Sequence, residues 1–306
     1  MSAALILEQL LNGVQLGVML FLTAAGLTLV FGVMGLINLA HGALFMSGAF
    51  VCAWVAAQTG NFWVGLAAGT LAAAAVGALV EILVIRRLYD RDHLDQVLAT
   101  FALILIFSEG ALAIFGGRPL WLDPPEILSG AVHLPGGAAY PIYRLAIIIA
   151  GLGAAVLLWL LIARTRLGMR IRAGEADREM IGALGVNIAV LYTAVFALGA
   201  GLAGFAGAMV GALQSVQVGM GEPVLILAFV VIVIGGIGSI RGAMVGALIV
   251  GVADTMGRVL LPMGFAAFMP AADAASVGGA LASMLIYVIM AGVLVFRPSG
   301  LFPAGG

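Results

Sequence analysis

Long apolar runs separated by short polar stretches make up most of this chain. A helix needs about 20 apolar residues to cross a bilayer, and most of the runs reach that length. Their apolar positions do not alternate every second residue, as they would in a transmembrane barrel. The pattern predicts an all-α, polytopic integral membrane helix bundle of about eight or nine transmembrane helices. The candidate spans are residues 10–34, 37–58, 62–85, 97–116, 143–163, 188–212, 223–240, 242–261 and 276–296.

Two of the runs are interrupted by glycine and polar residues, which indicates broken helices. Residues 32–51 read GVMGLINLAHGALFMSGAFV, and residues 232–250 read IVIGGIGSIRGAMVGALIV. Both pass from an apolar helix through a glycine-rich break into a polar residue followed by Gly-Ala. Such a pair is typical of transporters built on an internal repeat, although chance similarity between strings rich in small residues explains it equally well. Either 37–58 or 223–240 could be re-entrant.

One charged segment interrupts the apolar pattern near the middle of the chain, residues 164–187 (RTRLGMRIRAGEADREMIGALGVN). Its first part, 164–172, is the basic end of the fifth span. The run 173–184 predicts a short helix with a charged side and an apolar side, which Gly185 ends. It is either a surface loop or a helix that docks into a groove of a soluble partner. The candidate docking residues are Glu175, Ala176, Asp177, Arg178, Met180, Ile181 and Leu184.

Composition supports the membrane class and excludes several functions. The chain is 64% hydrophobic and 9% charged, whereas soluble domains have about 45–50% apolar and about 25% charged residues. A net charge of −1 gives no indication of nucleic-acid binding. All 13 basic residues are arginine, so neither a Walker A phosphate loop nor a Schiff-base lysine is present. No catalytic motif and no metal-spaced Cys/His cluster occurs, so we expect no enzyme and no metal site.

Arginine placement orients the spans. Arg86, Arg87 and Arg91 follow the third span, and residues 164–187 follow the fifth, so both loops are predicted to be cytoplasmic, together with Arg297 after the last span. The N-terminus is external if every run crosses fully. Its start, MSAALILEQL, lacks a basic signal region, so we expect the first run to be retained. The loops 117–142 and 262–275 are then external.

A few polar residues within the apolar runs are candidates for function. Polar groups in hydrocarbon are costly unless they meet protein or water, so they mark either a translocation pathway or an interhelical contact. Asn38 could cap the helix that follows it and expose backbone donors to a carboxylate. The pathway candidates are Asn38, His41, Gly42, Glu109 and Gln214.

Other intramembrane residues have a structural interpretation. Glu81 can be neutralised by Arg86 and Arg87, and Asp254 and Arg258 are four residues apart on one helix face. Glu109 could pair with an arginine, stay protonated or line the pathway. Glycines at small-x-x-x-small spacing predict close helix packing, as in Gly13/Gly17, Gly65/Gly69 and Gly238/Gly242/Gly246.

Three stretches resemble the LivH-type permeases of the high-affinity branched-chain amino-acid ABC transporters. They are GLINLAHGALFMSGAFV (35–51), RAGEADREMIGALGVN (172–187) and VIGGIGSIRGAMVGALIVG (233–251). Their spacing and the chain length also fit, so the resemblance covers nearly the whole chain. The Asn-x-Ala-His-Gly form of the first stretch is closer to this permease than to its LivM partner, which usually has Gly-Gln in place of His-Gly.

The resemblance implies a single transmembrane permease domain over residues 1–306, in the bacterial cytoplasmic (inner) membrane. It implies import of branched-chain or similar small amino acids by alternating access. The implied partners are two cytoplasmic ABC ATPase subunits, a second LivM-like permease and an external (periplasmic) substrate-binding protein that docks on loops 117–142 and 262–275. ATP is then bound by the partners, and this chain needs no cofactor.

The resemblance also implies roles for residues. Glu175 to Leu184 would be the coupling helix that rests in a cleft of an ATPase subunit, bounded by Gly174 and Gly185. The alternative is a secondary transporter or channel for a small polar solute such as urea or amides, in which Glu109 and Asp254 relay protons or ions. A permease driven by ATPases needs the charged segment 164–187, whereas a channel does not.

Overall fold

The computed structural model describes residues 3–135, 137 and 139–302, without the side chains of Ala3 and Arg178. The described chain is mostly helical. Its helices are α1 (Ala3–Met34), α2 (His41–Thr59), α3 (Phe62–Leu83), α4 (His93–Phe115), α5 (Ile142–Arg164), α6 (Arg166–Ala176), α7 (Arg178–Ala183), α8 (Ile188–Val210), α9 (Gly221–Gly235), α10 (Ile240–Phe265) and α11 (Ala271–Phe296). Two 3-10 turns, Ile85–Arg87 and Glu126–Leu128, and two strands, β1 (Ala131–His133) and β2 (Ala139–Pro141), complete it.

Eight of the described helices are long and apolar enough to cross a membrane. The predicted fold class, an all-α polytopic membrane protein, is confirmed. The ninth candidate, 223–240, is not a full span, because α9 has only 15 residues. At 1.5 Å per residue it is about 22 Å long, less than the hydrocarbon core of about 30 Å. It ends where Gly236 takes φ +108°, a conformation that favours glycine.

The described chain forms two compact units. One contains the residues up to Phe21, residues 127–149 and the residues from Leu227 onward; the other contains 22–126 and 150–226. The second unit has its core where α2, α3 and α8 cross. A Cβ on Gly65 would lie 2.6 Å from the Cys52 carbonyl oxygen, so α2 and α3 touch through their backbones. The small-residue spacing predicted this packing.

In the first unit, α10 packs against α11 and against the N-terminal part of α1. A Cβ on Gly13 would lie 2.7 Å from Val252 Cα, and one on Gly17 would lie 2.9 Å from the Ala247 carbonyl oxygen. The later residue on α1, Gly17, therefore contacts the earlier residue on α10, Ala247, so the two helices are antiparallel. The glycine pair allows backbone contact, as its spacing predicted.

The connection between α10 and α11 is shorter than the predicted loop 262–275. Helix α10 continues through Pro262 to Phe265, and α11 begins at Ala271. Proline usually ends a helix because it cannot donate a backbone hydrogen bond. Here only the last turn follows it, and a Cβ on Gly278 of α11 would lie 2.5 Å from Pro262 Cα. Packing against α11 therefore outweighs the local helix-breaking tendency.

The loop 117–142 has no long regular structure, in line with the prediction. Strands β1 and β2 pair antiparallel, and Leu120 exchanges backbone hydrogen bonds of 2.9 and 2.8 Å with Val216. Positions 136 and 138 lie outside the described residues. The Val216 pairing joins this loop to the segment between α8 and α9.

Candidate functional site

A connection of six residues, 35–40, separates α1 from α2. Gly35 takes φ +68°, and its N–H donates to the Phe31 carbonyl at 2.7 Å, which ends α1. The Oδ1 atom of Asn38 accepts from the Ala40 N–H at 3.0 Å, and the His41 N–H donates to the Asn38 carbonyl at 3.3 Å. The prediction that Asn38 caps the next helix is wrong. The N-cap residue of α2 is Ala40, and its side chain makes no capping hydrogen bond. Asn38 instead shapes the turn that leads into it.

His41 connects the first turn of α2 to the middle of α1. Its Nε2 lies 3.1 Å from the Thr23 carbonyl oxygen, and the residue is fully buried. Because a carbonyl only accepts, Nε2 must carry the proton, which leaves Nδ1 of the neutral ring as an acceptor. The interhelical contact that we considered as an alternative for His41 is therefore present.

The N-terminal ends of α2 and of the short helix α9 touch each other. A Cβ on Gly42 would lie 2.6 Å from the Gly221 carbonyl oxygen and 3.1 Å from Leu225 Cβ. A Cβ on Gly221 would overlap the Gly42 carbonyl group. Only glycine at both positions permits this backbone contact. The structure thus brings together Asn38, His41 and Gly42, and adds Gly221, which the sequence reasoning did not single out.

The other two pathway candidates lie apart from this cluster. The carboxylate of Glu109 is exposed on α4, and Gln214 is exposed in the turn after α8. Among the described residues, neither side chain has a hydrogen bond or ion pair. The arginine partner considered for Glu109 is therefore absent from the described part of the chain. A role in the pathway remains a prediction for both residues.

The charged segment forms two helices where a single one over 173–184 was predicted. Asp177 takes an extended conformation (φ −158°, ψ 102°) and its Oδ1 accepts from the Met180 N–H at 2.9 Å. Aspartate favours such a cap over a helix interior, so it ends α6 and begins α7. Gly174 lies inside α6 and does not bound the helix, whereas Gly185, at φ +86°, follows the end of α7.

The three apolar residues that were predicted to share one side of this segment, Met180, Ile181 and Leu184, face two directions. Met180 is 59% exposed and Leu184 is 76% exposed, whereas Ile181 is 5% exposed. Neighbouring residues on a helix point about 100° apart, so Ile181 packs into the protein while the other two face solvent. The side chain of Arg178 lies outside the described residues. Met180 and Leu184 are the apolar side chains that a partner can reach.

An acidic cleft of about 360 Å³ lies between this segment and the end of α1. At Gly174, helix α6 contacts both α8 and α1, since a Cβ there would lie 3.3 Å from Leu191 Cδ2 and 4.0 Å from Val33 Cγ1. The cleft is lined by Val33, Met34, Gly35, Gly174, Glu175, Ala176, Asp177 and Glu179. Partial desolvation raises the pKa of the Glu175 carboxyl above its ordinary value. The segment therefore adjoins Gly35, where the turn to Asn38 begins.

A buried polar network, which the sequence reasoning found only in part, joins α3 to α8. The fully buried Glu81 accepts from Arg86 at 3.2 and 2.9 Å, from the Tyr89 hydroxyl at 2.7 Å and from the Thr193 hydroxyl at 2.6 Å. Burial and the bond to Glu81 raise the pKa of Tyr89. The pairing of Glu81 with Arg86 was predicted. The hydrogen bond from Thr193 to Glu81 was not, because Thr193 is 112 residues away along the chain and no local pattern marks it.

Two further arginines of the long apolar helices donate hydrogen bonds to a polar side chain. Arg258 donates to both carboxylate oxygens of Asp254 at 2.9 Å, which confirms the predicted pair. Arg144 of α5 donates to Asn12 Oδ1 at 2.5 Å, a contact that the sequence reasoning missed. Each arginine thus has a hydrogen-bonding partner, and neither pair includes a residue of the cluster around Asn38.

Comparison with known proteins identifies the class. The chain is 29% identical to the high-affinity branched-chain amino acid transport system permease protein BraD of Pseudomonas aeruginosa, over 96% of this chain and 95% of the relative. It is 31% identical to LivH of Escherichia coli strain K12 over 83% and 87%. It is also 26% identical to the ribose import permease protein RbsC of the same strain over 74% and 71%. No solved structure matches significantly.

These relatives are transport subunits rather than enzymes, as was expected for this chain. Together with the eight long apolar helices, they indicate a multi-pass protein of the bacterial inner membrane. The family described as branched-chain amino acid transport system / permease component matches residues 9–294. The chain therefore belongs to the family of branched-chain amino acid transport permease components.

Proposed function

We propose that this chain is the transmembrane permease subunit of an ATP-driven importer for branched-chain or similar small amino acids. The observation that carries the proposal is the exposed α6–α7 segment, which lies against the end of α1 beside the broken-helix turn. The names of BraD and LivH support the substrate class. The ribose permease is a more distant relative with lower coverage, so it supports the transport class but not the solute.

The proposed partners are two cytoplasmic ATPase subunits, a second LivM-like permease and an external substrate-binding protein. The chain contains no lysine, so a Walker A site must be supplied by another subunit. The chain then acts as one transmembrane domain without a cofactor of its own. Loop 117–142 and the short connection between α10 and α11 are each proposed to contact the binding protein.

A continuous chain of contacts supports coupling between the partner and the pathway. An ATPase subunit that moves α7 would push on Gly174 and the acidic cleft, and through them on Val33 and Gly35 at the end of α1. Gly35 begins the turn that positions Asn38 and His41. Glycine in a left-handed conformation absorbs backbone rotation without a steric penalty. Motion at the cytoplasmic surface therefore reaches the break between α1 and α2.

The coupling role predicts that Met180→Arg combined with Leu184→Arg abolishes association with the ATPase subunits. Both side chains are exposed, so the protein should insert and fold normally, while two cations replace the apolar docking surface. Copurification of tagged ATPase subunits and uptake of L-[14C]leucine measure the effect. We expect both to fall at least tenfold.

The control is Trp121→Arg, which places one arginine on an aromatic residue of loop 117–142 that is 78% exposed. ATPase association should be unchanged in this variant. Reversing Asp177 is a poorer test, because it would also remove the cap of α7. If the double variant keeps full leucine uptake, the coupling role is wrong and a secondary transporter or channel becomes the better interpretation.

A further inference from the structure

Two buried polar atoms at the break between α1 and α2 have no hydrogen-bond partner among the described residues. They are Nδ2 of Asn38 and Nδ1 of His41, and both residues are fully buried. Leaving such an atom unpaired in a protein interior costs about 1–3 kcal/mol, so nearly all buried polar atoms are paired. Two unpaired atoms within one turn of four residues therefore require an explanation.

The two atoms differ in hydrogen-bonding character. Nδ2 of Asn38 is a donor. Nδ1 of His41 is an acceptor, because Nε2 carries the proton that it donates to the Thr23 carbonyl. In the part of the chain that the structure describes, the backbone N–H groups of Gly42 and Ala43 in the first turn of α2 have no helical acceptor, and the N-cap residue Ala40 gives no side-chain cap. The turn thus offers several donors and one acceptor side by side.

The electrostatics of the surrounding helix ends favour an anion. Helix α9 begins at Gly221, in backbone contact with Gly42, so the N-terminal ends of α2 and α9 meet. Helix N-terminal ends carry partial positive charge and bind carboxylates. Thr23, which holds His41, lies eleven residues before the end of α1. At 1.5 Å per residue, His41 and the first turn of α2 therefore lie about 16 Å along α1 from that end, about half the thickness of a hydrocarbon core of about 30 Å.

We propose that this turn is the binding site for the zwitterionic head of an α-amino acid during translocation. Asn38 Nδ2 and the free N–H groups of α2 bind the carboxylate, and His41 Nδ1 accepts from the ammonium. The inference rests on the proposed import function and names the atoms that contact the substrate. The site is closed in this structure. Separation of the α2 and α9 ends opens it, with Gly35 (φ +68°) and Gly219 (φ +85°) as the hinges.

Two substitutions remove the proposed contacts while keeping the structural ones. Asn38→Ser retains an oxygen that accepts from the Ala40 N–H but replaces the Nδ2 amide donor with the single proton of a shorter hydroxyl group. His41→Gln retains a terminal N–H donor for the Thr23 carbonyl but has no acceptor at the Nδ1 position, because its only acceptor is the amide oxygen beside that N–H group. Asn61→Ser is the matched control, since Asn61 caps α3 at an exposed position outside the turn and loses the same amide group.

The test is equilibrium dialysis of the assembled permease complex in nanodiscs with L-[14C]leucine, alongside uptake and thermal unfolding. We expect Asn38→Ser and His41→Gln to weaken leucine binding at least tenfold, with unfolding temperature and ATPase association close to those of the unsubstituted protein. Asn61→Ser should bind normally. As competitors, 3-methylbutylamine, which lacks the carboxylate, and 4-methylpentanoate, which lacks the ammonium, should each displace leucine far less well than L-valine does.

The outcomes separate the site from the import function. Leucine uptake by the unsubstituted complex, combined with unchanged binding in both variants, would overturn the site and leave the function standing. A lower unfolding temperature with unchanged leucine binding assigns the residues a structural role and also overturns the site. Absence of leucine uptake by the unsubstituted complex overturns the import function itself.

Discussion

Gly221→Ala is expected to reduce amino-acid uptake at least tenfold. The added methyl group would overlap the Gly42 carbonyl, so the ends of α2 and α9 could not return to the contact seen here. The Gly42 carbonyl is backbone and the alanine Cβ is bonded directly to Cα, so neither group can rotate away as the end of a long side chain can. Overpacking of this kind costs about 1–3 kcal/mol or more, and about 1.4 kcal/mol corresponds to a factor of ten. Uptake of L-[14C]leucine by cells that express the whole transporter measures the effect.

Gly153→Ala is the matched control for this experiment. Gly153 lies within α5, and a Cβ there would meet no atom within 4 Å. Alanine also favours helix more than glycine does, by about 1 kcal/mol. Uptake and protein abundance should therefore equal or exceed those of the unsubstituted chain. Normal uptake in the Gly221→Ala variant would show that transport does not require the close contact between α2 and α9.

Arg86→Ala is expected to lower the free energy of unfolding by about 3 kcal/mol, because it leaves the fully buried Glu81 carboxylate without its cation. Breaking a buried ion pair typically costs about 3–5 kcal/mol. The Arg86 side chain is 37% exposed, which places the effect at the lower end. Tyr89 and Thr193 still donate to Glu81 and limit the loss. Thermal unfolding of the purified protein in detergent detects the change.

Two further variants isolate the ion pair. Arg87→Ala removes the neighbouring exposed arginine and should change the free energy of unfolding by less than about 0.5 kcal/mol. The double variant Glu81→Leu/Arg86→Met removes both charges and should recover much of the stability lost in Arg86→Ala. Equal unfolding temperatures for Arg86→Ala and Arg87→Ala would contradict the proposed importance of the network.

The candidate functional segments could be located from the sequence, but their shapes could not. The charged segment stood out because charges are rare in an apolar chain, and Gly185 marked its end correctly. The break at Asp177 was missed because the pattern of Met180, Ile181 and Leu184 fits one helix as well as two. The cap at Asp177 decided between them, and the direction that Ile181 faces depends on the rest of the fold.

The cluster at the first break was predicted in part. Asn38 and His41 were recognisable because polar side chains are unusual within an apolar run. Gly221 was not, because it is one of 44 glycines and its significance comes only from its contact with Gly42. Thr193 was not recognisable either, since a single threonine near a helix end has no distinctive pattern.

The sequence by itself determined the membrane class, the long spans, the charged segment and the break between helices at Asn38 and His41. These features follow from the transfer free energy of side chains summed over about 20 neighbouring residues, which is a local property of the chain. The tertiary structure alone decided that α9 falls short of a full span, that Gly42 meets Gly221, and that Thr193 joins Glu81. Backbone contacts and directional hydrogen bonds of this kind join residues far apart along the chain, so no local pattern records them.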